Sequence, residues 1–204
     1  MLTPQRVILI FAVLLLGVSG FLYGQRQWVS AGRADRLMAL LAGQETLSLD
    51  VRTKAAACAV RGPLPDHACT PGAVFADATA AKICTPGYSK SVRSVTQKVH
   101  EQVFAEYGFG YPQPYGSFEV DHLIPLELGG SNDVANLFPE AADPAPGFHE
   151  KDLVENYLHE EVCAGRVELS VAQDRISHDW LAIYNGLSPD DIRRLKAEFA
   201  GWAN

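Results

Sequence analysis

Residues 119–140, EVDHLIPLELGGSNDVANLFPE, restrict the fold of this chain more than any other stretch. Asp121 and His122 end a short run that alternates apolar and polar residues, Gly129-Gly130 follows, and Asn136-Leu137 closes a second short run. Alternation with period two marks a half-buried strand, and paired glycines supply a turn. The stretch is therefore expected to form a small hairpin with ionisable groups on its first strand. The remainder of the chain must provide its scaffold, its metal or its address.

The chain has 204 residues, 48% hydrophobic and 20% charged, enough for one globular domain and a short extra segment. Its formal net charge of -7 excludes a protein that coats nucleic acid by bulk charge, since affinity for phosphates comes from clustered Lys and Arg. One segment is locally positive: between Lys82 and His100 stand Lys82, Lys90, Arg93 and Lys98, with no acidic residue among them. These four suit contact with phosphates, and they equally suit an ordinary solvated loop and helix face.

Residues 7–23, VILIFAVLLLGVSGFLY, are a nearly unbroken apolar run that as a helix could cross about 30 Å of hydrocarbon. The run is longer than the apolar part of a usual signal peptide, so an uncleaved membrane anchor with the domain outside the cytoplasm is expected. Secretion after cleavage near Val29-Ser30-Ala31 is the alternative. The cysteines, Cys58, Cys69, Cys84 and Cys163, include no C-x-x-C pair, which disfavours a zinc knuckle and favours two disulfides in an extracytoplasmic domain. Cys69 and Cys84 each head a CTPG turn. Cys58 with Cys69 and Cys84 with Cys163 is the expected pairing, although the spacing alone leaves all three connectivities open. The organisation expected is an anchor or signal segment over 1–30, a tether over 31–68 and a domain over 69–204.

The spacing predicts a helix over 94–107, opened by Ser94 and ended by Gly108. After a Pro and Gly loop over 141–148, a second helix begins at His149 and stops at Gly165. At about 100° per residue, Leu153, Val154, Tyr157, Leu158 and Val162 share one face of it, and His149, Asp152, Glu155, Asn156 and His159 fall on the other. Two more helices are expected, over 170–187 capped by Ser170, and over 189–202 capped by Ser188 with Asp191. Their apolar residues, Ile176, Trp180 and Leu195 among them, read as core. The fold class is α+β, an N-terminal transmembrane or signal helix followed by a helix-rich domain around a strand, strand, helix unit.

Asp121-His122-Leu123-Ile124-Pro125, then Gly129-Gly130, then Asn136-Leu137 together resemble the D-H-I-x-P, G-G, N-L signature of the HNH endonucleases, a family of the His-metal finger superfamily. Over residues 69–180 the chain is similar to bacterial HNH-type proteins with an amino-terminal hydrophobic segment. The resemblance implies a ββα-metal core and a metal-dependent endonuclease. It implies His122 as general base, Asp121 as metal ligand and Asn136 as the residue that braces the hairpin loop. It also implies a second metal ligand on the helix. His149 is the first choice, with Asn156, Asp152 and Glu155 as alternatives on the same face; the H-x-x-x-K ending usual in the family is absent. The implied cofactor is a divalent ion, Mg²⁺ first and Mn²⁺ or Zn²⁺ as alternatives, and the implied partner is DNA or RNA.

These roles have a physical basis apart from the family. Phosphodiester hydrolysis needs a water made nucleophilic and a leaving oxygen whose developing charge is stabilised. An imidazole titrating near neutrality can take the water's proton, and a hard divalent ion needs few protein ligands because Mg²⁺ keeps several waters. A rival expectation is a non-catalytic cell-envelope domain that uses the same scaffold to bind a partner. The acidic balance and the helix-rich tail suit that rival.

Overall fold

Residues 46–199 are described by the computed structural model, and they belong to a single unit, Glu45–Asn204. The expected membrane or signal segment, 7–23, lies outside the described residues, and among those residues no helix is long and apolar enough to cross a membrane. The class is α+β, with two small antiparallel sheets and six α-helices among the described residues.

β1 (Thr46–Ser48) pairs with β2 (Ala73–Phe75), so part of the stretch read as a tether is folded into the unit. Arg52 pairs with Glu106 and Lys54 with Asp66 at 2.7 Å, which fixes the chain between β1 and Cys69. Three helices follow: α1 (Ala80–Ile83), α2 (Tyr88–Val92) and α3 (Gln97–Glu106). The helix expected from Ser94 starts later because the Ser94 N–H is taken by the Asn132 side chain at 3.2 Å, and Thr96 becomes the cap.

β3 (Phe118–His122) and β4 (Leu137–Ala141) pair in antiparallel register, with Asp121 opposite Phe138 and His122 opposite Leu137. The strands match the sequence reading, but their connection is not a tight Gly-Gly turn. It runs over 123–136 and contains two 3-10 turns, Leu126–Leu128 and Val134–Asn136. Both glycines have work within it. Gly129 has φ +76°, which side chains other than glycine adopt at a cost, and a Cβ on Gly130 would collide with the Ile124 carbonyl.

α4 (Phe148–Cys163) starts one residue before the expected His149. Gly147 sits where a Cβ would strike the carbonyls of Ala141 and Ala142, and its N–H donates to Glu150 Oε2 at 3.0 Å. α5 (Leu169–Gly186) is capped by Glu168 rather than Ser170, which lies within the first turn. The helix breaks at Asp179, whose Oδ1 accepts from the Ala182 N–H at 2.9 Å and caps the second half. α6 (Pro189–Glu198) has the Ser188 and Asp191 box read from the sequence and ends before the expected residue 202.

Two apolar clusters fill the unit. One joins Val74, Ile124, Leu128, Leu158, Ile176 and Trp180; the other joins Cys58, Cys69, Tyr107, Leu123 and Phe138. Leu123 and Ile124 are both fully buried, yet each belongs to a different cluster. Burying each contributes about 2 kcal/mol. The disulfides are Cys58–Cys69 and Cys84–Cys163, as expected, and the second ties α4 to the segment that follows α1.

Candidate functional site

Asn136 holds the connection between the strands. Its Oδ1 accepts from the N–H of Ile124 at 2.9 Å and of Ala73 at 3.3 Å, and its Nδ2 donates to the carbonyls of Ile124 and Ser131, each at 2.9 Å. The side chain is fully buried, so each of these backbone groups would otherwise lie unpaired away from water. Its position is that of a brace for the hairpin loop.

A second asparagine orients His122. Asn132 donates through Nδ2 to the Val92 carbonyl at 2.8 Å, and its Oδ1 accepts from the Ser94 N–H. Two backbone groups therefore fix which end of the amide is oxygen. That oxygen lies 3.2 Å from His122 Nε2, so Nε2 carries the proton and Nδ1 keeps the lone pair. The ring is 3% exposed, and burial, opposed by Asp121, holds its pKa down at about 4. The imidazole is accordingly neutral around pH 7, with Nδ1 as its proton-accepting atom, and it titrates below the near-neutral range expected from the sequence because burial disfavours its charged form.

Asp121 stands at the head of a buried charge cluster. Its Oδ1 accepts from the His122 N–H at 2.7 Å, and its Oδ2 accepts from Lys151 Nζ at 2.8 Å. Lys151, fully buried on α4, also donates to the His122 carbonyl at 2.7 Å and to Glu155. Burial works against the Asp121 carboxylate, but the Lys151 charge and the hydrogen bond from Lys151 help to outweigh it and bring its pKa to about 2. No donor reaches either carboxyl oxygen of Glu140, which is 1% exposed. Burial raises Glu140 well above the carboxylate range, and the neighbouring Asp121 charge adds to the rise against the pull of Lys151. Burial likewise raises Glu155. Lys151 is thus an ammonium shared between Asp121 and Glu155.

The Asp121 side chain keeps 16% of its surface open. It faces a cavity of about 470 Å³ whose other polar walls include Glu127, His149, Asp152, Glu155 and Asn156. Every helix residue expected as the second metal ligand therefore shares one cavity with Asp121. Asp152 is set apart by electrostatics: burial, then the nearby Asp121 charge, lifts its pKa to about 7, a proton-retaining carboxyl that a bound cation would relieve. His149 is exposed, with its ring tilted 54° to that of Phe148 and the centroids 4.3 Å apart. His122 does not line the cavity. Arg93 is the member of the basic segment at the cavity wall, whereas Lys82 pairs with Asp77 at 2.5 Å and Lys90 and Lys98 are exposed.

Asn132 and Lys151 were not among the residues expected from sequence. Asn132 follows the Gly-Gly pair as part of GGSN, and Lys151 lies one residue from Asp152 on a helix face dominated by carboxylates; a lone cation there was the available signal. Among the described residues, Cys84, His159 and Cys163 are the group whose potential ligand atoms gather within 4.8 Å. Its two sulfurs are joined as a disulfide and hold no thiolate to offer a metal. Comparison with family models, with curated proteins and with solved structures gives no match.

Proposed function

We propose that this chain is a metal-dependent endonuclease of the HNH type, with β3, β4 and α4 as a ββα-metal core that hydrolyses phosphodiester bonds in nucleic acid. The observation that carries the reading is a carboxylate, Asp121, that opens on a cavity walled by carboxyls and is followed in the chain by a buried imidazole whose Nε2 is held by Asn132. In this reading His122 is the general base, with Asn132 holding Nε2–H so that Nδ1 is the atom left to accept a proton. Asn136 keeps the loop that carries both residues in shape.

The donor set fits a hard cation: Asp121 and one α4 residue, Asp152 by charge or His149 by position, would hold it. Oxygen donors favour Mg²⁺ or Mn²⁺ over Zn²⁺. Such an ion, when bound, supplies charge stabilisation to the phosphate and its leaving oxygen. Arg93 stands at the wall to meet the phosphate backbone. Two disulfides support a location outside the cytoplasm, with residues 7–23 as membrane anchor or signal segment.

A second reading, a non-catalytic envelope domain on the same scaffold, draws support from Lys151: the Asp121 charge already has a partner. Cleavage of plasmid by the full chain with Mg²⁺ or Mn²⁺, compared with Asp121→Asn, separates the two. The nuclease reading expects cleavage that depends on added metal and falls at least about 100-fold in the variant, the scale of losing one charge-stabilising group. Absence of cleavage with either ion favours the binding domain.

A further inference from the structure

A second trough, of about 700 Å³, adjoins the Asp121 cavity and shares Arg93, Glu119, Val120, His149 and Asp152 with it. Its outer wall is the loop between α3 and β3. Tyr115 is fully exposed there, and Tyr111 is 42% exposed. Tyr111 is backed by Phe104 at 5.7 Å, and Phe104 in turn meets Phe118 edge to face at 6.3 Å. Phe118 opens β3, so the aromatic wall continues into the strand that carries Asp121 and His122.

We propose that this trough is a binding subsite for single-stranded polynucleotide, which lies over Tyr111 and Tyr115 and passes Arg93 into the Asp121 cavity. The inference rests on the nuclease reading and narrows its substrate. Affinity for a duplex comes mainly from many cations meeting two phosphate backbones. Here the trough offers one arginine, Arg93, beside two acidic residues, Glu119 and Asp152, in a chain of net charge -7. Phosphate contact therefore contributes little, and what remains is stacking on tyrosine rings. Only an unpaired base presents a face for that, since the faces in a duplex are already stacked on their neighbours. Stacking tolerates every base, so the subsite selects strandedness and not sequence.

The test uses full-length protein carrying His122→Ala, which keeps bound strands uncut, and fluorescence anisotropy with labelled oligo-dT, oligo-U and a hairpin duplex of equal length. The single strands should bind at least about tenfold more tightly than the hairpin, and Tyr111→Ala with Tyr115→Ala should weaken them about tenfold or more. Phe at both positions should retain the affinity. The salt dependence should correspond to about one phosphate contact. Equal affinity for hairpin and single strands, or unchanged affinity in the double alanine variant, overturns the subsite. If the wild-type chain still cleaves plasmid in that case, the nuclease reading survives without it. Conversely, tyrosine-dependent binding of single strands by a wild-type chain that cuts nothing upholds the subsite and removes the nuclease.

Discussion

Asn136 makes four hydrogen bonds to backbone groups and is fully buried. Asn136→Ala leaves those groups without partners and should cost about 3 kcal/mol, a fall of roughly 8 °C in Tm by calorimetry. A loss within experimental error would mean that water replaces the amide and that the loop needs no brace. Asn136 was legible in sequence through the likeness of the D-H, G-G and N-L series to the HNH signature, which implied its bracing role. Asn132 was not, because its role depends on a contact with Val92 and Ser94, which are distant in the chain. Lys151 was hidden for another reason: a lysine on a helix reads as solvated, and only the folded unit shows its ammonium enclosed by Asp121, Glu155 and the His122 carbonyl.

At the level of elements, β4 and α4 bring Glu140 and Lys151 to the back of Asp121. Burial raises the Glu140 pKa in the folded chain, so folding takes up a proton. The stability this confers is present below the ordinary carboxylate pKa and is lost as pH rises toward the folded value. Glu140→Gln keeps the shape of the side chain and never ionises. It should therefore raise Tm at pH 8, by about 3 °C or more, and change it little at pH 4. Asp121 runs the other way: its contribution is kept above the ordinary carboxylate range and is lost as pH falls through about 2. The start of α4 was readable to within one residue from the Pro and Gly loop before it, and its apolar face matched the buried Leu153, Val154, Leu158 and Val162. The connection between the strands was misread as a tight turn, since 3-10 turns have no periodic signature over three residues.

Across the molecule, two apolar clusters meet at Leu123-Ile124, and two disulfides close loops of very different length. The pairs are 11 and 79 residues apart, so chain entropy gives about 3 kcal/mol for Cys58–Cys69 and about 4 for Cys84–Cys163. Urea unfolding of the two double-serine variants should rank them in that order, and the reverse ranking would show that contacts and not loop closure set the cost. The pairing itself was anticipated from sequence, whereas the two-cluster core was not, because membership depends on contacts between residues distant in the chain. The account as a whole turns on whether the neutral, buried His122 beside Asp121 cuts phosphodiesters. The most direct measurement is nicking of supercoiled plasmid, with Mg²⁺, by the full chain and by His122→Ala at equal Tm: removing a general base should slow nicking by about 100-fold or more, and equal rates from both proteins would contradict it.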